Sequence, residues 1–491
     1  MYHTESFKAD AFVPARFESG GEIVLRGQRI PYRTVSEDNV FYNEEGKPIA
    51  TVFSYAYLRS DVADTSGRPV VFGFNGGPGS SSKYVHAGFL GPRRLSYGAP
   101  DRPTALPPYD VIENPDCLLD VADLVLVDPV GTGYGALLDP GCEKLFYGIE
   151  EDAEALLAFV EQWLTRHDRW LSPKYLLGES YGCTRAATAA GIAARSGKDR
   201  CYGVVFDGVI MIGNTVSTGQ YYNKAVPAEP AVQGFPTYAA VNWYHNRPSN
   251  QTVEEFVAEA RAFADTEYVL ALYQGRRLTD AEREHIIERV CYYTGVSREY
   301  LLARDLRVED GSFRSEVLKS SGRAVSRYDG RMTRPLYEPR EVEDKIGWRD
   351  DATGDRYDGY FYGALTGAIL PALGVKLPRE YVSSAVVYQK WNLNAPAGST
   401  GEQLRRAMHA RPGMRTFFAN GWFDLCTETG LLYYMLDHAH LPMDRVYFRG
   451  YPSGHMIYIG EENIRALSND VRSFLLKDPA FHSIAEEEAA R

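Results

Sequence analysis

Three short apolar runs, each cut off by glycine, constrain this chain most. PVVFGF (69–74) runs into NGGPGSSS, DLVLVD (123–128) into PVGTG, and KYLLG (174–178) into ESYG. Runs this short, with little polar alternation, fit strands covered on both faces better than helices. Helical patterns lie between them. EDAEALLAFVEQWLTRH (151–167) repeats its apolar residues every three or four positions, and CTRAATAAGIAARSG is rich in alanine. FDGVIMIG (206–213), MRTFFANG (414–421) and RVYFRG (445–450) supply further strand-like runs. Buried strands alternating with helices predict the α/β class, with a mostly parallel central sheet flanked by helices.

Two regions depart from that rhythm. EIVLRG, IPYRTV and TVFSYAYLR, between residues 22 and 60, read as strands broken by turns and predict an antiparallel edge. From about 215 to 380 the alternation stops, and the sequence is helical, aromatic and charged, as in VEEFVAEARAFADTEYVLALYQG. The expected organisation is an N-terminal part of the core (1–214), a helical insertion or cap (215–380) and a C-terminal part of the core (381–491). Aromatics of the insertion, among them Tyr221, Tyr222, Tyr238 and Trp243, are expected to pack it or to line access to a site.

Several function classes are disfavoured. A formal charge of −12 argues against a polyanionic partner, and no basic aromatic-rich stretch suggests nucleic-acid binding. The cysteines, at 117, 142, 183, 201, 291 and 426, fit neither a disulfide framework nor a zinc ribbon. No HExxH motif occurs, and no lysine follows NGGPG at the spacing of a phosphate loop, so neither metal nor cofactor is expected. The start, MYHTESFKADAFVPARFESG, carries no apolar signal core, and no run is long enough to span a bilayer. A cytoplasmic protein without membrane contact is expected.

The serine of GESYG then needs an explanation. With 45 glycines in 491 residues, a Gly-x-Ser-x-Gly pentapeptide arises by chance about 0.2 times, so the motif alone decides little. Its setting decides more. A strand, a sharp turn and a small-residue helix surround Ser180, as in a nucleophile elbow. A helix-capping serine is the alternative. An alcohol needs a base, and the base an orienting acid. In this topology both follow the nucleophile, each after a late strand. Asp424 in MRTFFANGWFD and His455 in RVYFRGYPSGH occupy those places.

FNGGPGSSS, DPVGTGY, GESYG, the NG-x-x-D segment and SGHMIY, in this order, resemble the serine carboxypeptidase family of α/β-hydrolases. The resemblance runs from about 40 to 475 and is weak in the insertion. It implies a triad of Ser180, Asp424 and His455, and hydrolysis of the last peptide bond of a chain. It implies an oxyanion hole from the N–H groups of Gly77 and Tyr181, which matches the need of a tetrahedral intermediate for two donors. It also implies that Asn75 and Glu179 bind the substrate's terminal carboxylate. This chain departs at two places. Phe89 stands where the family has a second glutamate, and Ser80 where many members have cysteine. Arg93 and Arg94, just beyond, are either surface arginines or substitute carboxylate ligands. The departures suggest a bacterial-type, non-secreted branch. Peptide substrates are the expected partners, with homo-oligomerisation left open. Two other activities fit the same residues: an esterase or acyltransferase, and a binding protein that retained the elbow.

Overall fold

The structure, a computed structural model, describes residues 12–98, 106–195, 202–218, 230–336, 351–394 and 398–490. Its main sheet contains β1 (Arg16–Leu25), β2 (Gln28–Tyr42), β3 (Pro48–Arg59), β4 (Val70–Phe74), β5 (Asp123–Asp128), β6 (Lys174–Glu179), β7 (Gly208–Ile212), β8 (Arg415–Gly421) and β9 (Val446–Tyr451). In space they run β1-β2-β3-β5-β4-β6-β7-β8-β9, and the short strand Ala136–Leu137 pairs with β3. The first three strands and the β3–β5 contact are antiparallel, and every later pair is parallel. This is an α/β-hydrolase fold.

Side chains of successive strand residues point to opposite faces, and each face has its own core. Val71, Leu177, Ile210 and Phe417 enter one apolar cluster, while Phe72, Leu176, Met211 and Phe418 enter the other. The second is covered by α1 (Ile149–Arg166), α2 (Tyr181–Ala193) and α7 (Thr400–Ala410). The first is covered by α8 (Glu461–Leu476) together with α6 (Ala352–Ala364). Because both faces are packed, the parallel strands read as uninterrupted apolar runs.

The stretch 215–380 divides by packing. Helices α3 (Pro230–Asn246), α4 (Val253–Phe263) and α5 (Asp280–Thr294) build a separate core around Phe235, Phe256 and Tyr293. Tyr357, Phe361, Leu365 and Leu370 instead pack into the core of the main sheet. Tyr238 is buried and Trp243 half-buried within the first of these bodies. Tyr221 and Tyr222 lie outside the described residues. Among the described residues no helix is long and apolar enough to cross a membrane, and the five described cysteines are free.

Candidate active site

The turn between β6 and α2 is held in a conformation that only close packing sustains. Ser180 has φ 59° and ψ −128°, outside the regions that L-residues favour. Its N–H donates to Ile212 O at 2.9 Å, and its carbonyl accepts from Thr215 Oγ1 at 2.8 Å. Strand and helix are nearly in contact across the turn. A Cβ on Gly178 would lie 2.2 Å from Gly182 O, so glycine is the residue that fits there. The NGGPG loop closes from the side of β4, where a Cβ on Gly76 would lie 2.4 Å from Tyr181 N. Gly77 follows with φ +105° and lines the cavity above the turn. The loop backbone therefore lies against the N–H end of α2.

Asp424 and His455 meet at the ends of β8 and β9. His455 Nδ1 and Asp424 Oδ2 are 2.8 Å apart, and both residues are buried. Asp424 Oδ1 accepts the N–H groups of Cys426 and Thr427 at 2.8 and 2.9 Å, and the Thr427 hydroxyl donates to Oδ2. Burial opposes ionisation of Asp424, but the imidazole and these donors outweigh it and hold the carboxyl below its usual range. Burial likewise opposes the His455 cation. Asp424 and then Glu179 overcome that and raise its pKa. The His455 N–H donates to Tyr328 O at 2.6 Å, so a residue of the helical region seats the histidine backbone. Asp424, Cys426 and His455 offer ligand atoms within 4.8 Å of one another, but the facing Nδ1 and Oδ2 already bond each other.

Ser180, His455, Asn75, Gly77 and Glu179 line one cavity of about 2210 Å³. Asn75 Nδ2 donates to Glu179 Oε1 at 2.7 Å, and Asn75 Oδ1 accepts from Val85 N at 3.1 Å. Glu179 Oε2 has no hydrogen-bond partner among the described residues. The Tyr458 hydroxyl faces this carboxyl without hydrogen-bond geometry and is itself unpartnered there. Burial pushes the Glu179 carboxyl up to about 7, against the opposing pull of His455.

Phe89 is buried and stacks on Tyr458, with ring centroids 5.9 Å apart and planes within 1°. It lies in the main-sheet core and not on the cavity. Arg94 requires a correction: it is not a surface residue, and it does not line the cavity. It is 0 % exposed and grips Glu461 through two bonds of 2.6 and 3.1 Å, with Asn114 at 3.2 Å. Arg93 is exposed on a short strand.

Sequence reasoning missed the chain returning from the helical region. Val382, Ser384 and Asn392 form β-bridges to Gly133, Ser80 and Gly148. Ala385 N donates to Gly79 O at 2.7 Å, and Trp391 Nε1 donates to the Tyr181 hydroxyl at 3.0 Å. Thr427 was also missed, although a hydroxyl three residues after a buried acid is a plausible local donor.

The serine carboxypeptidase family model matches residues 42–309, more than half of the chain and ending before Asp424 and His455. A comparison with curated proteins finds no match. Among solved structures, Kex1(Δ)p, a prohormone-processing carboxypeptidase from Saccharomyces cerevisiae, superposes with a TM-score of 0.54 at 14% identity, over 91% of this chain and 92% of that one. The peroxisomal α/β-hydrolase Lpx1 of the same yeast has a TM-score of 0.32 at 11% identity, over 95% and 91%. Juvenile hormone epoxide hydrolase from the silkworm Bombyx mori has 0.34 at 11%, over 91% and 78%. The match spans both the NGGPG loop and the GESYG turn, and the chain belongs to the serine carboxypeptidase family, as a serine hydrolase of the S10 type.

Proposed function

We propose that the protein is a serine carboxypeptidase that removes the C-terminal residue of peptides through an acyl-enzyme. The supporting observation is the polar pair Asn75–Glu179 in the same cavity as Ser180 and His455. A general acyl hydrolase has no need of a buried, protonatable carboxyl directly before its nucleophile. A substrate bearing a carboxylate at the leaving side does.

In this reading His455 takes the Ser180 proton as Oγ attacks the scissile carbonyl carbon. Asp424 holds the imidazole with Nδ1–H toward itself and stabilises the imidazolium. The N–H groups of Gly77 and Tyr181 receive the oxyanion. His455 returns the proton to the departing amine nitrogen, and the C–N bond breaks. Water then attacks the ester, giving its proton to His455, and His455 passes that proton to Ser180 Oγ as the acyl–Oγ bond breaks and the shortened peptide leaves. Neutral Glu179 donates its proton in a hydrogen bond to the terminal carboxylate, which turns repulsion into a charge-assisted contact.

The test is incubation with a peptide pool and product analysis by mass, with Ser180→Ala as control. Stepwise loss of single C-terminal residues is expected. Hydrolysis of activated esters with every peptide intact would reject the peptidase reading and favour an esterase or acyltransferase.

A further inference from the structure

We propose that Lys83 binds a carboxylate of the substrate and sets the cavity's preference for anionic ligands. This rests on reading the cavity as the substrate site. Lys83 follows the NGGPGSSS loop and opens the helical turn Lys83–Val85. It lines the same cavity as Asn75, Glu179, Ser180 and His455. Its attachment to that wall is rigid: two residues on, Val85 N bonds the Asn75 side chain, and Ser81 N donates to Ser383 O at 3.2 Å.

The ammonium is under-compensated. Lys83 is 3 % exposed, so water does little for its charge. Its Nζ carries three donors and, among the described residues, makes one hydrogen bond, to Ser383 Oγ at 2.7 Å. The Tyr84 ring lies 4.3 Å away. The nearest carboxylate oxygen is Asp358 Oδ1 at 3.9 Å, on a side chain 57% exposed, and that oxygen already accepts the Tyr84 hydroxyl. The other described cations of the cavity wall are better matched: Lys390 meets Glu143 at 3.0 Å, and Arg327 faces Asp310 and Asp424. Desolvation pulls the Lys83 pKa down, the direction that an arriving carboxylate reverses. The carboxylate is either the terminal one or that of an acidic side chain.

Binding separates these sources. On a Ser180→Ala background, calorimetry compares two ligand pairs: N-acetyl-Ala-Leu with its amide, and N-acetyl-Ala-Glu-amide with N-acetyl-Ala-Gln-amide. The anionic member of one pair should bind on the order of tenfold tighter or more. The first pair responds if the terminal carboxylate is the ligand, the second if a side chain is. Lys83→Met should remove most of the preference and Lys83→Arg should retain much of it, in variants of unchanged melting temperature. Equal binding of anionic and neutral members in both pairs by the protein retaining Lys83 overturns the proposal. So does a preference that survives Lys83→Met. Because binding is read and not cleavage, a protein that cleaves no peptide refutes the proposed reaction without deciding this one.

Discussion

Replacing Glu179 by Gln should convert a titrating group beside the candidate nucleophile into a fixed neutral one. Glu179 is 3 % exposed, with one oxygen on Asn75 and the other without a described partner. Burial raises its carboxyl from 4.5 to about 7, the nearby His455 working the other way. That rise amounts to roughly 3 kcal/mol in favour of the neutral form. The group is then roughly nine-tenths protonated at about pH 6 and one-tenth at about pH 8. The sign for stability follows. An unfolded chain releases this proton near 4.5 and the folded protein near 7. The folded state therefore binds more protons between those values and loses stability as pH rises through them. Glu179→Gln removes that loss, so its melting temperature relative to wild type should climb across the same window and level off above it. Infrared difference spectra of wild type against Glu179→Gln should show a protonated carboxyl band that disappears with a midpoint near 7. Kinetically, the variant should raise KM for a free-acid peptide at low pH and flatten the dependence of that KM on pH. A carboxyl band already lost near 4.5, together with a melting difference that ignores pH, would refute the reasoning.

Ser180→Ala should lower turnover by several orders of magnitude in a folded protein and abolish fluorophosphonate labelling. Asp424→Asn, which presents the wrong histidine tautomer, should cost on the order of 10⁴ in kcat; a mild loss would place the orienting acid elsewhere. Gly76→Ala puts a Cβ 2.4 Å from Tyr181 N and 2.7 Å from Gly182 N, both backbone atoms. It should cost at least about a hundredfold in kcat by displacing the oxyanion loop, and a normal kcat would show that the loop can move at no cost. Arg94→Met should lower stability by on the order of 3 kcal/mol, because a buried cation is removed from Asp116 and Glu461. Its kcat on an ester should not change, and a raised KM for free acids alone would return Arg94 to the substrate.

The parallel strands were legible because both their faces are buried: β4, β5, β6 and β7 coincide with the apolar runs to within a residue or two. β2 was not. It continues through Glu37, Asp38 and Asn39, which look like turn residues yet are buried. Glu37 meets Arg16, Arg166 and His167, while Asp38 meets Arg379 and Thr51. Partners up to 341 positions away in sequence give a local pattern nothing to register. The positions of Ser180, Asp424 and His455 could be read because each follows a strand at a fixed place in the topology. Their surroundings could not. The burial of Glu179 beside Tyr458, the stacking of Phe89 on Tyr458 and the seating of His455 by Tyr328 all depend on where distant loops converge. Arg94 was misread because its burial comes from α8, which lies 367 positions further along at Glu461.

The bridges made by Val382, Ser384 and Asn392 bear on how such a protein can diversify. Of the helices upstream, α3, α4 and α5 share a core that meets the rest of the molecule at Trp422, Phe423 and Leu425, so sequence drift there is constrained mainly at the segment carrying Asp424, whereas α6 is tied to the sheet itself. The dozen residues that follow have no such freedom, since they complete the hydrogen bonding of Gly79, Gly133 and Ile149. A hybrid that takes its helical region from a relative should therefore keep this return segment from the recipient. A junction placed after it would import a foreign edge to the oxyanion loop along with the new helices.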